Sequence, residues 1–227
     1  EEKADIGIGF DGDGDRAGFV DEKGNYIESS KYAIIILRDL LKNSNNKKVL
    51  FDVKCSNIVK EEVLKLHGIP YEYRTGAPYT MNKMIDDKIL FGFEYSGHIY
   101  FNNGFPPISS GLYAGLKLIE VLSKNNLSFS ELLNDINKYY EEPEIKIAST
   151  DIRKKEVIEK VKEYAISKNY KINDIDGVKV YYDDKSWALV RYSNTGPNIT
   201  ARFESDSKEK LKEIKEELMT IINKYNK

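Results

Sequence analysis

The stretch VLFDVKCSNIVKEEVLKLHGIPYEY, residues 49–73, decides the fold class of this chain. Residues 49–53 are mostly apolar, which predicts a buried strand. Residues 58–66 carry apolar side chains at helical spacing until Gly68, and residues 69–73 predict a second strand. A strand, a helix and a strand in this order are typical of an α/β sheet with parallel strands.

The same alternation continues on both sides of this stretch, from residue 26 to residue 142. It predicts an α/β domain with a mixed, mostly parallel sheet that helices cover on both faces. Residues 1–25 hold two strand-like runs around an acidic, glycine-rich loop. Residues 143–227 predict helix, three strands and helix, which indicates a small α+β domain, and residues 139–143 are the best linker candidate.

Composition narrows the possible functions. The 227 residues are 41% hydrophobic and 32% charged, as in ordinary globular proteins. A net charge of -2 argues against nucleic acid as a partner, and no apolar run is long enough to cross a membrane. The single cysteine, Cys55, and a start without a secretory signal lead us to expect a cytoplasmic protein.

The loop DGDGDR, residues 11–16, is the sharpest local signal. Asp11, Asp13 and Asp15 occupy alternate positions, which in an extended chain point to one side, and the glycines between them leave room for the carboxylates to converge. Three carboxylates favour Mg²⁺ or Ca²⁺. Arg16 indicates that the metal shares an anionic ligand such as phosphate.

A calcium-binding loop of the EF-hand kind is the alternative. The three aspartates fit its first, third and fifth positions, and Glu22 falls at the twelfth. Arg16, however, stands at the sixth position, where such a loop requires glycine, and the flanking segments resemble strands instead of helices.

Two further loops carry groups suited to ligand binding. EYSGH, residues 94–98, follows a predicted strand and places a carboxylate, a hydroxyl and an imidazole where α/β sheets bind ligands. RYSNTGP, residues 191–197, lies between two predicted strands and combines hydroxyls with Arg191, which suits an anion. Taken alone, each also fits a structural role: a core histidine at His98, or an ordinary hairpin turn at 191–197.

Together, these segments resemble the α-D-phosphohexomutases, the phosphomannomutase/phosphoglucomutase family. In that family a DGDGDR loop holds Mg²⁺, a GEXSGH loop binds the sugar and an RxSNTxP loop binds the substrate phosphate. Residues 51–56, FDVKCS, are also similar to the family's DVKC segment. The four segments occur in the family's order over nearly the whole chain.

The resemblance implies a domain division. Residues 1–25 would be the tail of an incomplete metal-binding domain, residues 26–142 the sugar-binding domain and residues 143–227 the phosphate-binding domain.

The resemblance also assigns roles to single residues. Asp11, Asp13 and Asp15 would bind Mg²⁺, and Arg16 and Lys54 would serve catalysis, with Arg16 as a phosphate contact. The substrate-binding residues would be Glu94, Ser96 and His98 for the sugar and Arg191, Ser193, Asn194 and Thr195 for the phosphate.

The implied activity is the interconversion of hexose 1-phosphate and hexose 6-phosphate, of glucose, mannose or both, through a phosphoserine and a hexose 1,6-bisphosphate. The family's Ser-His-Asn-Pro-like loop is absent from the 227 residues. We therefore expect an inactive fragment whose missing partner is an amino-terminal phosphoserine domain. The alternative function is a non-catalytic module that binds Ca²⁺ or sugar phosphates.

The sequence also bears on the proton carrier and on helix capping. Residues 74–77 read RTGA where many members have Lys-Thr-Gly-His, so that Lys54, Arg74 and His98 are all candidates for the proton carrier. Three serines in loops or at helix starts are predicted to cap helices: Ser56, Ser109 and Ser110.

Overall fold

The computed structural model describes residues 3–193 and 196–227. The chain divides into two compact units, Glu1–Asn137 and Lys138–Lys227. Within the described residues, no helix has both the length and the apolar composition that crossing a bilayer requires.

The first unit begins with a three-stranded antiparallel meander of β1 (Ile6–Phe10), β2 (Ala17–Asp21) and β3 (Tyr26–Ile27). Phe10 pairs with Ala17 at the end of the first hairpin. The acidic loop at residues 11–16 is therefore the hairpin connection, and the two strands hold its ends side by side.

The second sheet of this unit contains β4 (Lys48–Asp52), β5 (Ile69–Tyr73), β6 (Phe91–Phe93) and β7 (Ile99–Phe101) in the order β5-β4-β6-β7. Strand β4 is parallel to β5 and to β6, whereas β7 is antiparallel to β6. This confirms the predicted mixed, mostly parallel sheet. Since β4, β5 and β6 run in one direction, their carboxyl ends meet at one edge.

The helices of the first unit are α1 (Ser29–Lys42), α2 (Asn57–Lys65), α3 (Ala77–Asp86), α4 (Gly111–Ser123) and a 3₁₀ turn at Glu131–Leu133. The sequence predicts α3 only from about residue 81. It begins earlier because Gly76, with φ of +131°, turns the chain and Pro78 fits the first helical turn.

The second unit is a small α+β structure, as predicted. Its elements are β8 (Tyr140–Glu141), β9 (Ile145–Ala148), α5 (Asp151–Ser167), β10 (Lys171–Asn173), β11 (Val178–Tyr181), β12 (Trp187–Tyr192), β13 (Asn198–Ser205) and α6 (Lys208–Tyr225). The strands form an antiparallel sheet in the order β10-β11-β12-β13-β8, with β9 also on β13. Residues 139–143, predicted as a linker, include β8, which pairs with β13.

The core of this unit lies between the two helices and the sheet. Val161 of α5 and Leu218 of α6 are fully buried with alternate strand residues such as Val180 and Ala201. Burial of one such side chain stabilises the fold by roughly 1.5–3 kcal/mol. The paired strands β12 and β13 are thereby held against the two helices.

Candidate functional site

The acidic loop brings its three carboxylates together through a turn. Oxygen atoms of Asp11, Asp13 and Asp15 lie within 4.8 Å of one another. The Gly14 amide donates to the Asp11 carbonyl over 3.2 Å, and Gly14 has φ of +71°. The expected convergence is present, but its predicted cause is wrong: the backbone is turned, not extended, and glycine makes this turn possible.

Arg16 closes the loop on itself. Its Nε atom donates to Asp11 Oδ2 over 2.6 Å, and its backbone amide donates to Asp11 Oδ1 over 3.2 Å. The hydrogen bond from the Arg16 side chain lowers the pKa of Asp11. Arg16 therefore offsets part of the negative charge of the acidic loop.

The environment of the Asp15 carboxylate is suited to a bound cation. Its Oδ1 atom is buried and accepts no hydrogen bond from the described residues. Burial raises the pKa of Asp15, and the Asp13 and Asp11 carboxylates raise it further. A divalent cation with a preference for oxygen ligands would satisfy the buried oxygen and offset the repulsion.

The structure does not favour a calcium loop of the EF-hand kind. The acidic loop is flanked by strands β1 and β2 instead of helices, and the Glu22 carboxylate has partners outside the loop. The Glu22 carboxylate accepts hydrogen bonds from the Ser128 hydroxyl over 2.9 Å and the Ser130 amide over 3.1 Å. Although burial raises the pKa of Glu22, these hydrogen bonds, chiefly from Ser130, lower it to about 2.

The acidic loop is joined to the loop at residues 94–98. The Ser109 hydroxyl donates to the Asp15 carbonyl over 2.6 Å and lies 3.0 Å from His98 Nδ1. His98 Nδ1 is 3.5 Å from Asp15 Oδ2, and Arg16 pairs with His98 as an isolated β-bridge. The structure thus places the acidic loop and His98 in one cluster.

Glu94 anchors the loop at residues 94–98 through buried hydrogen bonds. Its side chain is only 2% exposed, and its Oε1 atom accepts from the Thr80 hydroxyl over 3.0 Å, the Tyr100 hydroxyl over 3.1 Å and the Gly76 amide over 3.3 Å. The Ser96 hydroxyl lies 3.5 Å from Oε2. Oε1 therefore accepts hydrogen bonds from within the protein, whereas Oε2 faces the Ser96 hydroxyl.

Asp52 fixes the neighbouring loops at the same sheet edge. Its carboxylate accepts from the Thr75 hydroxyl over 2.9 Å, the Tyr95 amide over 3.2 Å and the Cys55 thiol over 3.2 Å. Burial, with the Asp52 charge as the second cause, raises the pKa of Glu94. Asp52 connects the ends of β4, β5 and β6, the three parallel strands of this sheet.

Lys54 lies in the same group of loops. It is a buried residue three positions before the first residue of α2, and its Nζ atom is 5.6 Å from the centre of the Tyr95 ring. Tyr95 is the residue after Glu94, so the structure brings the predicted catalytic lysine to the loop that carries the predicted sugar-binding residues.

Sequence reasoning missed several of these connections. Ser56 and Ser110 do cap α2 and α4, as predicted. Ser109 does not: it binds the Asp15 carbonyl. Nothing in the sequence signals that contact. Asp52 did carry a signal, because a carboxylate at the end of an apolar strand needs partners when it is buried.

The predicted phosphate loop of the second unit begins with a buried arginine, Arg191, that is paired with Asp176. Arg191, in β12, has its Nε atom 3.1 Å from Asp176 Oδ2 and an Nη atom 3.3 Å from Asp176 Oδ1. A Cβ atom at Gly177 would lie 2.6 Å from Arg191 Cβ, so the chain passes close to this arginine. The guanidinium is held in place by a two-point ion pair.

Lys154, which sequence reasoning did not single out, holds the ends of this loop. Its Nζ atom lies 3.5 Å from the Ser193 carbonyl oxygen and 3.4 Å from that of Gly196. It also forms an ion pair of 2.7 Å with Asp151. The Ser193 amide donates to the Asn198 carbonyl over 2.8 Å, which continues the pairing of β12 with β13.

Two residues expected to bind phosphate, Asn194 and Thr195, lie outside the described residues.

Comparison with known proteins is decisive for the family. Residues 28–140 match the phosphoglucomutase/phosphomannomutase alpha/beta/alpha domain III, and residues 144–221 match the C-terminal domain of the same family. The chain belongs to the phosphoglucomutase/phosphomannomutase family. The resemblance inferred from the motifs is thereby confirmed.

Individual relatives agree with this membership. The chain is 34% identical over 214 residues to a phosphomannomutase/phosphoglucomutase from Pseudomonas syringae, a match that spans 94% of this chain and 46% of the relative. It is 34% identical to a phosphomannomutase from Methanocaldococcus jannaschii, over 98% of this chain and 48% of that one. The chain therefore spans about half the length of these relatives.

A solved structure shows the same fold. A phosphoglucomutase/phosphomannomutase family protein from Burkholderia thailandensis superimposes with a TM-score of 0.88 at 28% identity, over 98% of this chain and 47% of that one.

Proposed function

We propose that this chain supplies the metal-, sugar- and phosphate-binding parts of a phosphohexomutase. The complete enzyme would interconvert hexose 1-phosphate and hexose 6-phosphate, of glucose, mannose or both, through a phosphoserine and a hexose 1,6-bisphosphate. The observation that carries this proposal is the cluster in which Ser109 joins Asp15 of the acidic loop to His98 of the sugar loop.

Asp11, Asp13 and Asp15 would hold Mg²⁺, and the proposal is supported by the buried Asp15 Oδ1 atom, which accepts no hydrogen bond from the described residues. A bound Mg²⁺ would neutralise charge on the phosphoryl group being transferred. Arg16 would contact that group, because it already lies against the acidic loop with a guanidinium suited to phosphate.

Sugar recognition would fall to residues 26–142 and phosphate recognition to residues 143–227. Glu94, Ser96 and His98 would bind the sugar hydroxyls, with Lys54 beside them. Arg191 and Ser193, together with Asn194 and Thr195, would bind the phosphate that stays in place. Support comes from the clustering of Glu94 and Ser96 and from the ion pair that orients Arg191.

The phosphoserine would come from an amino-terminal domain. An apolar strip on α4 supports this: Leu112, Leu116 and Ile119 are 61%, 56% and 43% exposed at helical spacing. Beside them lies Phe10, also exposed, on β1. An apolar surface of this kind typically packs against another protein surface. The single buried cysteine is in keeping with a cytoplasmic enzyme.

Calorimetric titration of glucose 6-phosphate and mannose 6-phosphate into the chain with Mg²⁺ tests the binding proposal. We expect saturable binding of at least one of them. Glucose, which lacks the phosphate, should bind at least 10-fold more weakly, because charge-assisted hydrogen bonds to a phosphate contribute about 1.5–3 kcal/mol each. Equal affinities for glucose and glucose 6-phosphate would contradict the proposal.

A turnover assay tests the division of labour. The chain alone should not convert glucose 1-phosphate, whereas addition of the amino-terminal half of the Pseudomonas syringae relative should restore conversion. Leu116→Glu should block the restoration but leave sugar-phosphate binding unchanged, since Leu116 is on the apolar strip. Turnover by the chain alone would show that the missing serine is not required.

A further inference from the structure

Arg74 stands out among the arginines of this chain. Its Nε atom is buried and has no hydrogen-bond partner, and no carboxylate forms an ion pair with it within residues 3–193 and 196–227. Four other arginines are each paired with a carboxylate: Arg16, Arg38, Arg191 and Arg202. A buried donor without an acceptor calls for an explanation, and a ligand is one.

The side chain of Arg74 lies over an aromatic ring. Its guanidinium carbon is 4.0 Å from the centre of the Tyr79 ring. Tyr79 in turn packs on Gly76, where a Cβ atom would lie 3.1 Å from Tyr79 Cδ2. A guanidinium over an aromatic ring is held by the cation–π attraction and can still donate its N–H groups to an anion.

The position of Arg74 is that of a ligand-binding residue. It directly follows β5, at the edge where β4, β5 and β6 end. The next two residues are tied to the site: the Thr75 hydroxyl donates to Asp52, and the Gly76 amide donates to Glu94. The carboxyl edge of parallel strands is where α/β sheets bind ligands.

We propose that Arg74 binds the phosphate group of the hexose phosphate as a fixed positive charge. This inference rests on the proposed function and adds a phosphate-binding residue to the first unit. With Arg74 assigned to the phosphate, Lys54 and His98 are left as the candidates for the proton carrier.

The test is calorimetric titration of glucose 1-phosphate and glucose 6-phosphate, with Mg²⁺, into the native chain and three variants. Arg74→Met should weaken binding of at least one phosphate 10-fold or more. Arg74→Lys should weaken it less, because it keeps the charge but loses the planar fork. Arg153→Met removes an exposed arginine from α5 and should stay within 2-fold of the native chain.

Binding by the native chain that Arg74→Met retains within 2-fold would overturn the assignment of Arg74 and leave the proposed function intact. No binding of either phosphate by the native chain would overturn both.

A purely structural role has a different signature. If Arg74 served only to offset the buried charges of Asp52 and Glu94, Arg74→Met would lower the unfolding temperature without changing the affinity of the folded chain. Should Arg74→Met fail to fold, Arg74→Lys decides: weakening of 3-fold or more supports the assignment, and unchanged affinity overturns it.

Discussion

The predicted sugar loop of the first unit and the predicted phosphate loop of the second are held in different ways. Residues 94–98 are fixed by buried carboxylates, Glu94 and Asp52, whose hydrogen bonds reach several separate elements. In the second loop, Arg191 is paired with Asp176, and Lys154 lies against the carbonyl oxygens of Ser193 and Gly196. The first loop is fixed by buried carboxylates that several elements share, and the second by two cationic side chains, so that substitutions should affect the two units to different extents.

Glu94→Leu should cause the largest loss of stability. The buried donors of Thr80, Tyr100 and Gly76 would lose their common acceptor, and each buried donor left unpaired costs about 1–3 kcal/mol. We expect the free energy of unfolding of the first unit to fall by about 3 kcal/mol or more, as measured by chemical denaturation.

The matched control is Glu120→Leu. Glu120 forms ion pairs with Lys117 and Lys124 on the surface of α4, and exposed pairs contribute at most about 1 kcal/mol. Equal losses for Glu94→Leu and Glu120→Leu would show that the buried contacts do not carry the stability assigned to them.

Glu22→Gln should cause an intermediate loss of stability, and the size of this loss should depend on pH. The pKa of Glu22 is lowered from 4.5 to about 2 in the folded chain. A lowered pKa means that the charged form stabilises the fold above pH 4.5 and that this contribution is lost as the pH falls towards 2.

The native chain should therefore exceed Glu22→Gln by about 1–2 kcal/mol at pH 7. The gap should narrow steadily in urea denaturation curves recorded between pH 5 and pH 2. A gap that stays constant over this range would contradict the hydrogen bonds assigned to Glu22.

Lys154→Met, in the second unit, should cause the smallest loss of stability. Loss of the contacts to the Ser193 and Gly196 carbonyls should cost about 1 kcal/mol and leave the hairpin otherwise paired. The Ser193 amide, which donates to Asn198, should exchange its hydrogen faster. Lys155→Met, the exposed neighbour, serves as the control, and equal exchange rates in the two variants would refute the role of Lys154.

Local patterns were enough to predict most of the fold. Apolar runs and helical spacing predicted β4, α2 and β5, and the mixed sheet followed from their order. The early start of α3 was missed because it depends on the backbone of Gly76 and on Pro78 in its first turn.

For the site, motif order predicted the residues but not their connections. Ser109 reaches the Asp15 carbonyl across 94 residues of sequence, and Lys154 reaches Ser193 across 39. Contacts of this range are set by how the elements pack, which periodicity and spacing do not encode. The acidic loop shows the same limit, because its carboxylates converge through a turn that the alternating pattern did not predict.

The central claim is that the acidic loop and the sugar loop form one site for Mg²⁺ and a hexose phosphate. Its most direct test is calorimetric titration of glucose 6-phosphate with and without Mg²⁺ into the native chain, Asp13→Asn and the control Asp184→Asn, which alters an exposed carboxylate of the second unit. Mg²⁺ should raise the affinity by about 10-fold in the native chain and in Asp184→Asn, and have no effect in Asp13→Asn. An affinity that does not respond to Mg²⁺ in the native chain, or that responds equally in Asp13→Asn, would contradict the claim.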